Sequence, residues 1–86
     1  MKKKTMTIQL IDGLDARPIA ILVQVASQYD SSIHIESGEK YVNAKSIMGM
    51  MTLTLNTGEE ISVVADGADE AAAIESIEKY LSGKEV

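Results

Sequence analysis

Hydrophobic and polar residues alternate near the beginning of the chain. Between Thr5 and Leu10, the apolar side chains of Met6, Ile8 and Leu10 fall on one side and polar side chains fall on the other. This period of two is typical of a strand with one face buried. The pattern therefore predicts a first β-strand over Thr5 to Leu10.

A helical spacing of apolar residues follows. From Ala16 to Gln28 they recur every three or four positions, at Ile19, Leu22, Val23 and Ala26, which predicts a helix with one buried face. Pro18 has no backbone N–H and fits only the first turn of a helix. The first helix is therefore expected to begin close to Asp15 or Ala16.

The middle of the chain predicts a hairpin and a short helix. Ile33 and Ile35 alternate with polar residues, which predicts one strand. The turn residues Ser37 and Gly38 separate it from a second strand that contains Tyr41 and Val42. Ser46 then precedes a short apolar segment, Ile47 to Met51, which we expect to form a helix of one or two turns capped by the serine.

A further strand and helix complete the pattern. Glu60 to Ala65 is rich in β-branched residues and predicts a strand. Asp69 is the predicted cap of a last helix in which Glu70 favours the N-terminal end and Gly83 follows as a stop. The apolar face of that helix consists of Ala73, Ile74, Ile77 and Leu81.

The predicted element order is βαββαβα, which indicates an α+β domain of two layers. Its 86 residues allow a single domain over 1–86, which buries about 60% of the surface that the unfolded chain exposes. No apolar segment has the length of a membrane span, and the N-terminal lysines precede no signal-peptide core. A cytoplasmic protein without a membrane partner is expected.

Composition disfavours several classes of function. The net charge is −5 and only 3% of residues are aromatic, which argues against direct binding of nucleic acid through phosphates or stacked bases. There is no cysteine and a single histidine, His34, so neither a thiolate nucleophile nor a metal or cofactor site is expected. Alternation places His34 on the polar side of a strand, as an exposed residue.

Ser46 and the residues after it are the candidate site. A serine before a helix is commonly a simple cap, but a phosphate at that position would be stabilised by unpaired backbone N–H groups. A helix of one or two turns cannot bury every apolar residue that follows. We expect Met50 to face the core, and the exposed side to consist of Ile47, Met48 and Met51, a deformable apolar surface suited to a partner.

Two segments resemble the signature segments of the HPr family. They are Gly13-Leu14-Asp15-Ala16-Arg17-Pro18 and Val42-Asn43-Ala44-Lys45-Ser46-Ile47-Met48-Gly49. The resemblance implies an HPr-like open-faced β-sandwich, with a four-stranded antiparallel sheet and three helices on one face. It is strongest to the catabolite repression HPr group, known as Crh.

The first of these segments departs from the family at Asp15. Phosphocarriers of the family have there a histidine that accepts phosphate from Enzyme I, and the Crh group often has glutamine. An aspartyl phosphate is a different chemical species from a phosphohistidine, so this degenerate shuttle site implies that histidine phosphotransfer is absent. By its sequence position alone, Asp15 is also a favourable helix cap.

The resemblance also implies partners. HPr kinase/phosphorylase would phosphorylate Ser46, and the product would act as corepressor for catabolite control protein A, a LacI-type repressor. The implied docking surface joins Arg17, Ala20 and Gln24 of the first helix to the apolar residues after Ser46. Lys40 and Lys45 are candidates to pair with the phosphate, although exposed lysines are more often only solvated.

Two other classes of function compare differently with the sequence. A diverged phosphocarrier of the sugar phosphotransferase system would fit the same family, although Asp15 argues against it. An enzyme has no support, because the chain has no paired acid and base constellation and no glycine-rich nucleotide loop. A separate expectation concerns assembly. The short polar connection between the first strand and the first helix would allow the first strand to exchange between two copies and form a homodimer.

Overall fold

The computed structural model describes residues 1–10, 16–53 and 56–83. At position 16 it describes the backbone alone. Seven elements follow one another in the order that the sequence predicts. They are β1 (Lys2–Thr7), α1 (Ala16–Ser27), β2 (Ser32–Ser37), β3 (Lys40–Asn43), α2 (Ile47–Met50), β4 (Glu60–Asp66) and α3 (Glu70–Leu81).

The four strands form one antiparallel sheet in the order β1-β4-β2-β3. The helices cover one face of it and the other face is open, as in the predicted α+β sandwich. β1 and β3 are therefore the two edges of the sheet. The helix α3 packs on β1 and β4, whereas α2 lies beside β3 and contacts α1. The surface around α2 and the edge formed by β1 are thus on opposite sides of the molecule.

The core lies between the sheet and the helices. Alternate residues of β2 and β4 point into it, and the apolar faces of α1 and α3 meet them, as the helical spacing predicts. Its fully buried side chains include Leu22, Ile33, Ile35, Val63, Ile77 and Leu81. Burial of these side chains supplies the main driving force for folding.

The predicted bounds of the first strand, Thr5 to Leu10, are wrong. The strand begins three residues earlier, because Lys2, Lys3 and Lys4 pair with Ala65, Val64 and Val63 of β4. It ends at Thr7, and the next two backbone N–H groups bond outside the ladder, that of Ile8 to the carbonyl of Glu59 and that of Gln9 to the carbonyl of Leu81. The predicted burial of Met6 and Ile8 is confirmed.

Asp69 occupies the predicted cap position of α3, but its carboxylate makes no cap hydrogen bond. It accepts hydrogen bonds instead from the backbone N–H groups of Asp30 and Ser31, at 2.8 and 3.0 Å, and from the Ser31 hydroxyl. The side chain therefore ties the connection between α1 and β2 to the start of α3. Glu70 accepts the hydrogen bond of the Gly67 N–H, at 3.1 Å.

These hydrogen bonds predict an acid-dependent loss of stability. The Ser31 hydroxyl, and after it the Asp30 N–H, lower the pKa of Asp69 below its ordinary value of 3.8. Since the folded state favours the ionised carboxylate, its contribution is present above the ordinary value and is lost as pH falls through the lower folded value. Asp69→Asn is therefore expected to be less stable than the parent at neutral pH, with a difference that shrinks at low pH.

Urea unfolding at a series of pH values measures this difference. Glu39→Gln, at the exposed tip of the β2–β3 hairpin, is the matched control, because it also removes one carboxylate but leaves the hydrogen bonds of Asp69 intact. A constant difference between Asp69→Asn and the parent from neutral to acid pH would contradict the account.

Candidate functional site around Ser46

The end of β3 fixes where Ser46 lies. The N–H of Ala44 donates to the carbonyl of Ile33, at 2.8 Å, and the buried Ala44 side chain anchors the turn on the core. Asn43 then accepts twice, from the N–H of Lys45 at its side-chain oxygen and from the N–H of Ser46 at its carbonyl, at 2.8 and 3.0 Å. The polypeptide is therefore held firmly just before α2.

Ser46 is the N-cap of α2, which confirms the predicted local structure. Its backbone is extended, with φ −105° and ψ 111°, and its hydroxyl accepts from the Gly49 N–H at 3.3 Å. The side chain is half-buried at the surface. The N–H groups of Ile47 and Met48 belong to the first turn and have no intrahelical acceptor. A phosphoryl group on the Ser46 oxygen would lie close to these donors.

The apolar residues of this segment divide as the sequence predicts. Met50 has no exposed surface and belongs to the core. Ile47, Met48 and Met51 are 45%, 82% and 51% exposed. We call these three residues the α2 patch. Exposed apolar groups gathered on a helix of one turn are typical of a site that contacts a partner.

The α1 residues of the predicted surface lie on the outer side of that helix. Arg17 and Gln24 are exposed and Ala20 is half-buried. Sequence reasoning missed Ile21, which lies between them and is 38% exposed. The sequence does contain a signal for its exposure, because Ile21 falls outside the helical spacing of the buried apolar residues. Since α1 contacts α2, the two helices that carry the predicted surface are neighbours in the fold.

The two lysines near the turn are occupied by backbone carbonyls. Lys45 donates from Nζ to the carbonyl of Tyr29, at 2.6 Å, and so binds the chain just after α1. Lys40 donates to the carbonyl of Thr52, beyond the C-terminal end of α2 and away from the Ser46 end. The geometry therefore does not favour either lysine as the partner of a phosphate on Ser46.

Comparison with known proteins identifies the family. The family model described as the PTS HPr component phosphorylation site matches residues 2–82. The chain belongs to the HPr family. It is similar to the HPr-like protein Crh of Bacillus subtilis, with 42% identity over 94% of this chain and 95% of that protein.

Solved structures of HPr-family proteins share the fold. The phosphocarrier protein HPr of Bacillus anthracis is 41% identical and superposes with a TM-score of 0.89, covering 93% of this chain and 95% of the other. A crystal structure of Bacillus subtilis Crh is 40% identical with a TM-score of 0.78, covering 100% of this chain and 99% of the other. That Crh structure is a dimer with a swapped domain.

The position of the HPr shuttle histidine, Asp15, lies outside the described residues. His34, the one histidine of the chain, is on the open face of the sheet, opposite to the helices. It is half-buried rather than exposed as predicted, because its ring stacks on that of Tyr41, with centroids 4.5 Å apart and planes 8° from parallel. This places the histidine on the other face of the sheet from α1.

Two further features of the described residues concern metal binding and membrane insertion. Among residues 1–10, 16–53 and 56–83, no group of three or more histidine, cysteine or acidic side chains is placed to hold a metal ion. Within the same residues, every helix is too short or too polar to cross a bilayer.

Proposed function

We propose that this HPr-family protein is a cytoplasmic, non-catalytic regulator of carbon catabolite repression. HPr kinase/phosphorylase phosphorylates Ser46, and the phosphorylated protein then acts as corepressor for catabolite control protein A, a LacI-type repressor. One observation carries the proposal: a half-buried serine hydroxyl at a helix N-cap is followed directly by the exposed α2 patch.

The arrangement supports a switch in which phosphorylation of Ser46 creates a new binding surface without unfolding any part of the protein. A phosphoserine adds a charge of about −1.5 to −2 near pH 7, at a position where first-turn N–H groups are available to donate hydrogen bonds to its oxygens. The modified surface then combines a dense negative charge with adjacent apolar side chains. Because Lys40 and Lys45 bind backbone carbonyls, the repressor supplies the cationic groups that pair with the phosphate.

The residue at the shuttle position supports regulation rather than phosphate transport. HPr phosphocarriers use an imidazole there, and Asp15 offers a carboxylate, whose acyl phosphate differs in reactivity from a phosphorylated imidazole. The proposal therefore includes the absence of phosphotransfer through this position. A diverged phosphocarrier is the competing function, and the same experiment tests both.

The experiment is to locate phosphate after two incubations. The purified protein is treated with HPr kinase/phosphorylase and ATP, and separately with Enzyme I and phosphoenolpyruvate, and both products are analysed by intact and fragment mass spectrometry. We expect a gain of about 80 Da only with the kinase, on Ser46, and none in the Ser46→Ala variant. Phosphate gained from phosphoenolpyruvate, or no modification of Ser46, would refute the proposal.

We also propose that two copies associate by exchanging β1. The strand is an edge of the sheet and its ladder is made with β4 alone, so a β1 from a second copy could make the same contacts. The swapped dimer of the similar Crh protein supports this route.

A paired cysteine substitution distinguishes exchange from surface association. The hydroxyls of Thr5 on β1 and Ser62 on β4 are 3.0 Å apart, and the chain has no cysteine of its own. In Thr5→Cys/Ser62→Cys, an exchanged dimer forms a disulfide between chains, which is visible as a covalent dimer without reductant. A dimer by light scattering that yields only disulfides within one chain would contradict exchange.

A further inference from the structure

An open groove of about 720 Å³ runs along the β1 edge of the sheet, between β1 and α3. Four lysines line it: three consecutive residues of β1, Lys2, Lys3 and Lys4, together with Lys79 of α3. They are half of the eight lysines and arginines of the chain, whose net charge is −5. The Lys3 ammonium lies on the open face of the sheet, where it pairs with Glu36 at 3.0 Å, so the cations that the groove presents are those of Lys2, Lys4 and Lys79.

The acidic residues of the groove leave these lysines available. Lys4 pairs with Glu78 at 2.8 Å and Lys79 with Glu75 at 3.6 Å, but the lysine side chains remain 51% and 60% exposed. Ion pairs that are exposed in this way contribute little and exchange readily for another carboxylate. Among the residues that the structure describes, Lys2 makes no ion pair. A carboxylate ligand therefore has three ammonium groups to approach.

The edge of β1 offers backbone hydrogen bonds to an extended segment. β1 pairs with β4 on one side only, and in an antiparallel strand every second residue directs its N–H and C=O away from that neighbour. Lys2 and Lys4 lie opposite Ala65 and Val63 in the register, so their side chains point to the helix-covered face and toward α3. Lysines on an edge strand repel a second copy of the same strand, which disfavours self-pairing at this edge.

The floor of the groove is apolar. It contains Ala71, which is exposed, and Ile74, which is 6% exposed. A strand added beside β1 would direct alternate side chains to this face, where apolar residues could contact the floor and carboxylates could reach the lysines. Backbone pairing combined with alternating side-chain contacts is the general mode of recognition by strand addition.

We propose that this groove binds an acidic, extended segment of a partner protein, which adds to β1 as a fifth strand. Its carboxylates contact Lys2, Lys4 and Lys79. A nucleic acid fits less well, because it has no peptide N–H and C=O groups to pair with the free edge of β1. The groove is on the edge opposite to α2, so this partner and one bound at the Ser46 surface can be held at the same time.

A defined peptide tests the proposal on the full chain. The probe is a short, acetylated and amidated peptide of alternating Glu and Val, compared with the peptide in which every Glu is Gln, and with oligothymidylate. Backbone amide chemical shifts of the ¹⁵N-labelled protein are followed during titration. We expect changes confined to β1 and α3 with the Glu peptide and weaker binding of the Gln peptide. No shift, equal binding of both peptides, or preferred binding of oligothymidylate would overturn the proposal.

A charge reversal in the groove has a matched control at the other edge. Lys2→Glu and Lys40→Glu change the net charge equally, and each replaces the exposed first residue of an edge strand. Lys2→Glu is expected to weaken binding of the Glu peptide about fivefold, since it replaces an exposed attraction by a repulsion, while Lys40→Glu keeps the parent affinity. If the two substitutions weakened binding equally, the peptide would be held by long-range charge attraction alone, and the proposed site would be wrong.

Discussion

Met48→Asp is expected to weaken the complex between the Ser46-phosphorylated protein and catabolite control protein A by at least about 100-fold, equivalent to about 2.7 kcal/mol. Met48 is 82% exposed, so the substitution removes little that stabilises the fold. In a complex that covers the α2 patch, it would replace a buried apolar contact by an unpaired charge, which is costly. Surface plasmon resonance with immobilised repressor measures the change.

Tyr41→Asp is the control for that experiment. Tyr41 is also exposed, at 56%, but it lies on β3 beside His34 on the open face of the sheet. The substitution introduces the same charge outside the proposed interface, and we expect the parent affinity. Both variants are phosphorylated and purified by anion exchange before measurement, so that only modified protein is compared. Equal affinities of the Met48 and Tyr41 variants would show that the α2 patch does not contact the repressor.

Gly67→Ala is expected to lower the free energy of unfolding by about 3 kcal/mol, from the overpacking of a site with no room. A Cβ at this position would lie 2.5 Å from the Ser31 hydroxyl oxygen and 2.7 Å from the Ser31 Cα. The clash also displaces the hydroxyl that donates to Asp69. The melting temperature is expected to fall by about 15 °C, since a domain of this size loses several degrees per kcal/mol.

Gly58→Ala separates the clash from backbone strain. Gly58 has a φ of +95°, but a Cβ there would meet no atom within 4 Å. Its cost is therefore the conformational strain alone, about 1 kcal/mol. Thermal and urea unfolding of the two variants give the comparison. If Gly67→Ala were no more destabilising than Gly58→Ala, contact with Ser31 would not be what requires a glycine at position 67.

Local patterns in the sequence were sufficient to predict the order of the elements. They also predicted which apolar residues of the α2 segment are buried and which are exposed. Hydrophobic spacing placed Met50 in the core and the α2 patch outside, because a one-turn helix has only one side to bury. The start of the first strand was predicted wrongly because three consecutive lysines have a low β-propensity. Their pairing depends on β4, which is remote in sequence, and β4 provides the partners regardless of local propensity.

Side-chain partners across the fold were beyond prediction from sequence. Asp69 was expected to cap its own helix, but the connection between α1 and β2 supplies three hydrogen-bond donors to its carboxylate. Lys45 was a candidate for a phosphate, but the end of α1 supplies a carbonyl. Each outcome depends on elements that only the tertiary structure brings together. The groove beside β1 was missed for the same reason, since Lys79 is far from the N-terminal lysines along the chain.

The most direct test of the regulatory proposal is the affinity of catabolite control protein A for three forms of this protein. These are the protein phosphorylated on Ser46, the unmodified protein, and Ser46→Ala after the same kinase treatment, each titrated into the repressor in a calorimeter. The account predicts binding of the phosphorylated form at least about 100-fold tighter than that of the other two. Equal affinity of all three forms, or no binding of the phosphorylated form, would contradict it.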